Sequence, residues 1–268
     1  MLNSDMFSAH AALCKGMGEN LIGILYMLEF YPGREKIHMN VRVVVITGAG
    51  SGLGASLAKK YSDLGCHVCL LGRTKTKLTR TAETLSDNYS IYEIDISSKN
   101  DVIKTMQLIK EEVGLIDLLI NNAGVGFFDL TENLSEESVH QMIDINLKGT
   151  IFCTQEVLND MKKRNQGCIV NIVSLSGKRG KINESVYSAS KFGARGFTEN
   201  LAIELEDTGI RVFGAYMGNM KTELWEGASA EETYMEPDDV ADIIMESIKP
   251  RKNVLVEEVV IKDNKNKY

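Results

Sequence analysis

The feature that most constrains the fold of this chain is a regular alternation of strand and helix patterns that begins near Asn40. The strand patterns are short, apolar and rich in β-branched residues, whereas the helical patterns repeat apolar residues at spacings of three and four. The predicted strands are 41–46, 66–71, 90–94, 116–120, 168–173, 210–216 and 254–260, and the predicted helices are 52–64, 75–86, 99–113, 135–164, 185–207 and 238–248. Such alternation predicts a single-domain α/β fold with a doubly wound parallel sheet of about seven strands and helices on both faces.

A glycine-rich turn joins the first predicted strand to the first predicted helix. Glycines let the backbone approach a pyrophosphate closely, and a helix N-terminus supplies unpaired N–H groups and the positive end of the helix dipole. A turn of this kind between a strand and a helix therefore predicts a dinucleotide-binding site. The candidate binding residues in the turn are Thr47, Gly48, Gly50, Ser51, Gly52, Leu53 and Gly54.

Tyr187 and Lys191 lie four residues apart in a predicted helix, thirteen residues beyond Ser174. This offset places the two side chains on one helix face, one turn apart. A free tyrosine, with a pKa of about 10, exchanges protons poorly at neutral pH, and a neighbouring ammonium lowers that pKa. The pair therefore predicts proton exchange with an alcohol oxygen, although a surface tyrosine beside a solvated lysine would have the same spacing.

From about Asn40 to Val260 the chain resembles the short-chain dehydrogenase/reductase family. Five motifs agree in order and spacing: the glycine turn, Asn121-Asn122-Ala123-Gly124 after a strand, Asn146, Ser174, and Tyr187 with Lys191. The closer resemblance is to NADP-dependent 3-hydroxy acid dehydrogenases and carbonyl reductases; it is less specific and rests on Gly72-Arg73 and the C-terminal segment. The family implies a Rossmann-type sheet in the strand order 3-2-1-4-5-6-7.

The resemblance implies hydride transfer between NADP(H) and a carbonyl or secondary alcohol. We expect Tyr187 to donate or accept the proton, and Lys191 to lower the pKa of Tyr187 and to bond the nicotinamide ribose. We expect Ser174 to donate a hydrogen bond to the substrate oxygen. Asn146 corresponds to the family residue that holds a water of the proton relay, although an asparagine within a helix can also bond the local backbone.

The end of the second predicted strand bears on the choice of dinucleotide. Sites specific for NAD carry an acid there, whereas this strand ends at Gly72 and is followed by Arg73, which can bind a 2′-phosphate. Ser51 weakens this case, since many NADP-dependent relatives have a basic residue in the glycine turn. NADP(H) is therefore preferred, with NAD(H) possible. The remaining cofactor contacts implied by the family are Asp95, Ile96, Asn122, Ala123, Gly124, Gly218 and Thr222.

Several of these positions have a plausible structural role as well. Asp95 and Ile96 are also consistent with an ordinary turn at a strand end, and Asn122 is also suited to tying neighbouring strands together. The family usually has Pro-Gly after the sixth strand, and Met217 replaces that proline here. The path of the loop around Gly218 is therefore less constrained than in relatives that have the proline.

The closer resemblance implies that the substrate is a small 3-oxo or 3-hydroxy acid, or a related carbonyl compound. Lys178, Arg179 and Lys181 could attract an anion, but they could equally be solvated loop charges. The segment between Thr222 and Pro237 covers the substrate in the family, and its shortness favours small or varied carbonyls. Two alternatives stay open: a 3-oxoacyl-[acyl-carrier-protein] reductase, and a catalytically idle NADP-binding sensor or scaffold.

Composition and sequence pattern narrow the remaining classes of function and of binding partner. The net charge of −7 argues against a nucleic-acid partner, and without an 18-residue apolar run no membrane span is predicted. The odd number of cysteines, five, favours reduced thiols in a cytoplasmic protein. Cys66 and Cys69 fall on opposite faces of a predicted strand, and the histidines lie outside every motif, so no metal site is predicted. The family implies a homodimer or homotetramer formed through the long helices at 135–164 and 185–207.

Residues 1–38 form an atypical extension ahead of a predicted domain at 39–268. Its apolar run, Leu21–Leu28, is too short to span a bilayer and lacks the flanks of a signal peptide. Two interpretations stay open. The run is a short amphipathic segment that packs on the body or on a partner, or Met39 is the natural start; the second is favoured.

Overall fold

The computed structural model of the chain describes residues 41–222, 234–251 and 253–263. The extension at 1–38 and most of the segment expected to cover the substrate, 223–233, lie outside the described residues.

Seven parallel strands form one sheet in the order β3-β2-β1-β4-β5-β6-β7, so the predicted fold class and strand order are confirmed. The strands are β1 Val43–Thr47, β2 His67–Gly72, β3 Tyr89–Glu93, β4 Leu118–Asn121, β5 Gly167–Ser174, β6 Ile210–Met217 and β7 Glu258–Ile261. Every residue of β1 and of β4 is buried, as expected for central strands that are covered on both faces.

Helices cover both faces of the sheet. They are α1 Gly52–Asp63, α2 Lys75–Ala82, α3 Lys99–Glu112, α4 Glu136–Ile143, α5 Thr150–Arg164, α6 Ser185–Glu204 and α7 Pro237–Ser247. Alternate residues of β1 enter different cores: Val44 and Ile46 pack under one helical layer, and Val43 and Val45 under the other. The described residues therefore form two hydrophobic cores, one on each side of the sheet.

The long helix predicted at 135–164 is interrupted. Helix α4 ends at Ile143, a π-helical segment runs over Asp144–Gly149, and α5 begins at Thr150. A side chain at Gly149 would lie 2.6 Å from Ile96 Cδ1, so this glycine lets the segment pack closely against the loop after β3. Asn146 lies in the π-helical segment, a type of insertion that is frequent at functional sites.

The last strand is shorter than predicted. The prediction was 254–260, whereas β7 covers Glu258–Ile261. Arg251 and Val254 instead pair across a tight turn in which Asn253 has φ +63°. The apolar run Val254-Leu255-Val256 begins at the end of this turn and ahead of β7, so periodicity could not mark where the strand begins.

The strand order reverses direction beside β1, which has β2 on one side and β4 on the other. Crevices at such switch points, outside the carboxyl ends of the strands, are where α/β sheets bind ligands. The glycine turn follows β1, and Ser174 ends β5, so both predicted motifs lie at this edge.

Candidate active site

The glycine turn after β1 has a backbone that most residues could not adopt. Gly48 and Gly52 have φ values of +65° and +51°, in the left-handed region that favours glycine. A side chain at Gly54 would lie 2.3 Å from the Gly48 carbonyl oxygen, and one at Gly48 would lie 2.8 Å from Ala123 Cα. The turn is therefore folded tightly on itself and against the end of β4.

Thr47 and Asn122 fasten the turn to β4. The Thr47 Oγ1 accepts hydrogen bonds from the backbone N–H groups of Asn122 and Ala123, each at 3.0 Å. In return, the Asn122 Nδ2 donates to the carbonyls of Thr47 and Gly48, at 3.0 and 3.1 Å. The structural role considered for Asn122 is thus visible in the structure, and its side chain holds the turn in shape.

A cavity of about 460 Å³ extends over this edge of the sheet. Most of the predicted site residues line it: Gly48, Ser51, Gly52, Leu53, Arg73, Asp95, Ile96, Asn122, Ala123, Gly124, Ser174, Tyr187, Lys191, Gly218 and Thr222. Four predicted residues do not. Thr47, Gly50 and Gly54 belong to the glycine turn but do not line the cavity, and Asn146 is buried beneath the loop after β4.

Tyr187, Lys191 and Ser174 meet at one end of the cavity. Helix α6 carries Tyr187 and Lys191 on one face, with the Lys191 Nζ 5.9 Å from the centre of the Tyr187 ring. The Ser174 side chain at the end of β5 acts on the phenol, and the Phe128 ring packs edge-on against Tyr187 at 5.3 Å between centroids. The serine and tyrosine motifs, which are separated in the sequence, thus lie together at the same cavity.

The expected lowering of the Tyr187 pKa by Lys191 is not found. Burial raises the pKa of Tyr187 to about 12, the hydrogen bond from Ser174 opposes this rise, and the charge of Glu184 adds to it. Burial also lowers the pKa of Lys191 to about 8, and its ammonium donates to the Ile172 carbonyl at 3.2 Å. Desolvation is the largest cause of both shifts, and the phenol is protonated at neutral pH.

Asn146 links the loop after β4 to helix α6. Its Oδ1 accepts from the Val125 N–H at 2.8 Å, and its Nδ2 donates to the Val125 carbonyl at 2.9 Å and to Ser190 Oγ at 3.0 Å. Ser190 in turn donates to the Tyr187 carbonyl at 2.7 Å. The side chain therefore bonds the backbone of the distant Val125 and not the local helix backbone of the alternative interpretation, and it helps to fix the position of the tyrosine helix.

The far end of the cavity carries Arg73 and a second cation that the sequence analysis missed. Arg73 is exposed at the end of β2, and Lys77 lines the same cavity from the first turn of α2. A side chain at Gly50 would lie 2.9 Å from Lys77 Cβ, so the lysine packs directly on the glycine turn. The available signal was its position four residues after Arg73 at a helix start, which puts both near the same loop.

Asp95 and Ile96 line the cavity after β3 while also forming the turn that was considered as the alternative. The Asp95 Oδ1 accepts from the Ser97 N–H at 2.9 Å, which is a local turn bond. Ile96 packs against Gly149 of the π-helical segment.

Two of the basic residues after Ser174 are paired with acids. The Lys178 Nζ lies 2.8 Å from both carboxylate oxygens of Glu258 and 4.1 Å from the centre of the Tyr216 ring. The Lys181 Nζ lies 3.6 Å from Glu184 Oε1. Two of the three cations proposed to attract an anionic substrate are thus already neutralised within the chain.

Replacement of the family proline by Met217 is accommodated by strand pairing. Met217 is buried and pairs with Ile261 of β7, and the Gly218 N–H donates to the Ile261 carbonyl at 2.9 Å. The parallel neighbour strand therefore fixes the start of the loop that brings Gly218 and Thr222 to the cavity.

Sites of other kinds are not found in the described part of the chain. Within the described ranges, no group of three or more His, Cys, Asp or Glu residues is arranged to hold a metal ion. No helix among those same residues has the length and apolar character needed to cross a membrane.

Comparison with known proteins agrees with this geometry. The family model described as short chain dehydrogenase matches residues 42–233. An uncharacterized oxidoreductase of Staphylococcus saprophyticus is 33% identical over 235 residues, which cover 84% of this chain and 99% of that protein. The chain therefore belongs to the short-chain dehydrogenase family of oxidoreductases.

Solved structures share the fold. A serine dehydrogenase complexed with NADP⁺ superposes with a TM-score of 0.76 at 27% identity, over 81% of this chain and 93% of that one. An alcohol dehydrogenase from the archaeon Thermococcus sibiricus, complexed with 5-hydroxy-NADP, gives a TM-score of 0.77 at 27% identity, over 85% of this chain and 98% of that one.

Proposed function

We propose that the protein is an NADP(H)-dependent oxidoreductase that interconverts a carbonyl compound and a secondary alcohol. The observation that carries this proposal is the meeting of Ser174, Tyr187 and Lys191 in the same cavity as the glycine turn. The family shares oxidoreductase chemistry. What we propose in addition is that this protein uses NADP(H) and acts on a carbonyl compound.

The cavity fits a dinucleotide. Gly48, Gly52 and Gly54 leave no room for side chains where the turn passes the helix start, so backbone N–H groups are open to a pyrophosphate. Arg73 and Lys77 line the end of the cavity where a 2′-phosphate would need positive charge, and no acid takes the place of Gly72. The NADP complexes of the two structural relatives support the same choice. The bound cofactor would supply or accept the hydride.

The residues of this chain manage the proton and the oxygen. The Tyr187 phenol, protonated at neutral pH, donates a proton to the oxygen of a carbonyl during reduction, and Ser174 donates a second hydrogen bond to that oxygen. Lys191 provides a nearby ammonium, which favours the phenolate left after proton donation. Asn146 keeps the helix that bears them aligned with the loop after β4, and its part in a water relay remains a proposal.

For the substrate we propose a small carbonyl compound, of which a 3-oxo acid is the first candidate. Lys181 lines the cavity and could meet a carboxylate, but its pairing with Glu184 weakens that attraction. Neutral carbonyls of similar size therefore belong in the same test.

The test is a panel of carbonyl compounds assayed with NADPH and with NADH by the loss of absorbance at 340 nm. A 3-oxo acid, its neutral methyl ester and an acetoacetyl thioester separate small acids from a 3-oxoacyl-[acyl-carrier-protein] reductase activity. We expect NADPH-dependent loss with at least one small carbonyl. Binding of NADPH without turnover of any compound would favour the idle sensor instead.

We further propose a homodimer or homotetramer that works in the cytoplasm. Helix α6 exposes Phe192 and Ile203, which is consistent with an interface along this helix. The four cysteines within the described residues are free and buried, as suits a reducing compartment. The domain division at residue 39 likewise stays a proposal.

A further inference from the structure

A buried carboxylate stands beside the proposed catalytic tyrosine. Glu184 immediately precedes helix α6, is only 8% exposed and lines the cavity. Its Oε2 accepts a hydrogen bond from the Ser176 hydroxyl, and its Oε1 lies 3.6 Å from the Lys181 ammonium. Burying a charge costs free energy unless hydrogen bonds or ion pairs stabilise it. An apolar side chain of similar size could fill the same space without that cost.

The partners of Glu184 connect it to both residues that would contact the substrate oxygen. Ser176 is buried in the short 3₁₀ turn that follows Ser174, and its backbone N–H donates to Ser174 Oγ at 3.1 Å. On the other side, Glu184 lies three residues before Tyr187, and its carbonyl accepts from the Ser188 N–H at 2.6 Å. One residue thus joins the turn that carries the serine, through its side chain, to the helix that carries the tyrosine, through its backbone carbonyl.

Among the described residues that act on the Tyr187 phenol, Glu184 is the acidic one. From β5 the phenol meets the Ser174 hydroxyl, and from the loop after β4 it meets the Phe128 ring. On its own helix Lys191 lies 5.9 Å from the ring centre. Lys181 lines the same cavity and is paired with Glu184.

We propose that Glu184 is a positioning residue for the reaction. Its carboxylate holds the Ser174 turn against the start of α6 and places an acidic group beside Tyr187. This inference rests on the proposed function. The charge acts in the same direction as burial in raising the pKa of Tyr187, so the two together keep the proton on the phenol until substrate takes it.

This arrangement determines the direction in which the pKa of Tyr187 should move when the charge of Glu184 is removed. Glu184→Gln keeps the size of the side chain and an oxygen that can accept from Ser176, but it removes the charge. Tyr187 should then titrate at lower pH. Alcohol oxidation needs the phenolate, so its rate should begin to rise at a lower pH than in the wild-type protein. Carbonyl reduction needs the phenol, so its rate should begin to fall at a lower pH than in the wild-type protein. A shift of one pH unit would change the phenolate fraction about tenfold at a fixed pH below the pKa.

The experiment compares the wild-type protein with Glu184→Gln, with Glu184→Asp, which keeps the charge, and with Glu204→Gln, a matched control at the exposed end of the same helix. The titration of Tyr187 is followed by NMR of ¹³Cζ-labelled tyrosine, with Tyr187→Phe identifying its signal. The pH profiles of oxidation and reduction are measured alongside. We expect an acid-ward shift in Glu184→Gln, a smaller or absent one in Glu184→Asp, and none in Glu204→Gln.

Unchanged titration and unchanged pH profiles in Glu184→Gln would overturn the inference, because a purely structural residue would behave in that way. If Glu184→Gln does not fold, Lys181→Met gives the opposite test: loss of the counter-charge should move the Tyr187 titration to higher pH, and no movement would reject the role of Glu184. Failure of the proposed function would look different, since a protein that reduces no carbonyl would still give the NMR result.

Discussion

At the scale of single residues, the site is dominated by the cost of burying ionisable groups. Tyr187 and Lys191 are both buried, and burial shifts their pKa values in opposite directions, to about 12 and about 8. Burial stabilises the neutral form of each group, so holding either group in its charged form inside the protein costs free energy. That cost is understandable for a site that must transfer a proton.

Lys191→Met should make the protein more stable at neutral pH. Below pH 8 the folded wild-type protein holds a buried ammonium. Between pH 8 and about 10.4, the pKa of a free lysine, the unfolded chain binds more protons than the folded one, so wild-type stability rises with pH. We expect Lys191→Met to gain about 1–2 kcal/mol at pH 7, after the lost bond to the Ile172 carbonyl is deducted, and the gain to shrink above pH 8.

Urea unfolding at a series of pH values from 7 to 10 measures this difference. The exposed Lys104→Met is the control and should give a difference that does not vary with pH. A gain for Lys191→Met that stays constant over the whole series would contradict the assigned effect of burial.

Arg73→Ala should discriminate between the two cofactors. Arg73 lies at the cavity where the second strand ends, and a charge-assisted bond to a 2′-phosphate contributes about 1.5–3 kcal/mol. We expect the KM for NADPH to rise roughly 10- to 100-fold while that for NADH changes little. Steady-state kinetics with both cofactors measure this, and the exposed Arg80→Ala on α2 is the control. Equal effects on the two cofactors would reject the assignment.

Residues in recognisable motifs were predictable, whereas their partners were not. The glycine turn, Ser174, Tyr187 and Lys191 have spacings that carry their chemistry, and most of them line the cavity. Lys77 and Glu184 were missed because their importance depends on which loops pack beside them. The Tyr187 pKa was predicted in the wrong direction because sequence spacing gives the distance between charges but not the degree of burial.

At the scale of secondary-structure elements, the site depends on how closely the β1–α1 turn packs against β4. Spacing alone predicted the turn, but the contacts made by Thr47 and Asn122 across to the neighbouring strand came only from the structure. The π-helical segment was likewise not predictable, since the helical periodicity continues across it and its close packing against Ile96 joins parts of the chain that are distant in sequence.

Gly54→Ala should damage this element specifically. The new Cβ would lie 2.3 Å from the Gly48 carbonyl oxygen and 2.6 Å from Asn122 Nδ2, so the turn would have to open. We expect a loss of stability of about 1–3 kcal/mol and a loss of NADPH binding. Thermal unfolding and a fluorescence titration with NADPH measure the two effects.

The matched control is Gly180→Ala, where an added Cβ meets nothing within 4 Å. This variant should keep wild-type stability and NADPH affinity. The proposed packing of the turn would be contradicted if Gly54→Ala bound NADPH as tightly as Gly180→Ala does.

At the scale of the whole molecule, the fold was the most predictable feature. Strand order, parallel pairing and two cores follow from the alternation of patterns and from the family resemblance, because burial on both faces leaves few other arrangements for such strands. Element ends, such as the start of β7, depended on turn geometry instead.

The proposed assembly gives a prediction at this scale. Sedimentation or light scattering should find twice or four times the 29.7 kDa of one chain. Ile203→Glu on α6 should weaken the assembly, whereas Leu64→Glu, at a position equally exposed at 69% but next to α1, should not. A wild-type protein that is monomeric at micromolar concentration would contradict the proposed assembly.

The most direct test of the central claim is the turnover of Tyr187→Phe. This variant removes only the phenol hydroxyl, in the cavity that Ser174 and Lys191 also line. With the best substrate from the carbonyl panel, we predict a fall in kcat of at least about 10²-fold with NADPH affinity nearly unchanged, while Tyr89→Phe on the exposed strand β3 behaves as wild type. A Tyr187→Phe protein that turns over at a rate near that of the wild type would contradict the account.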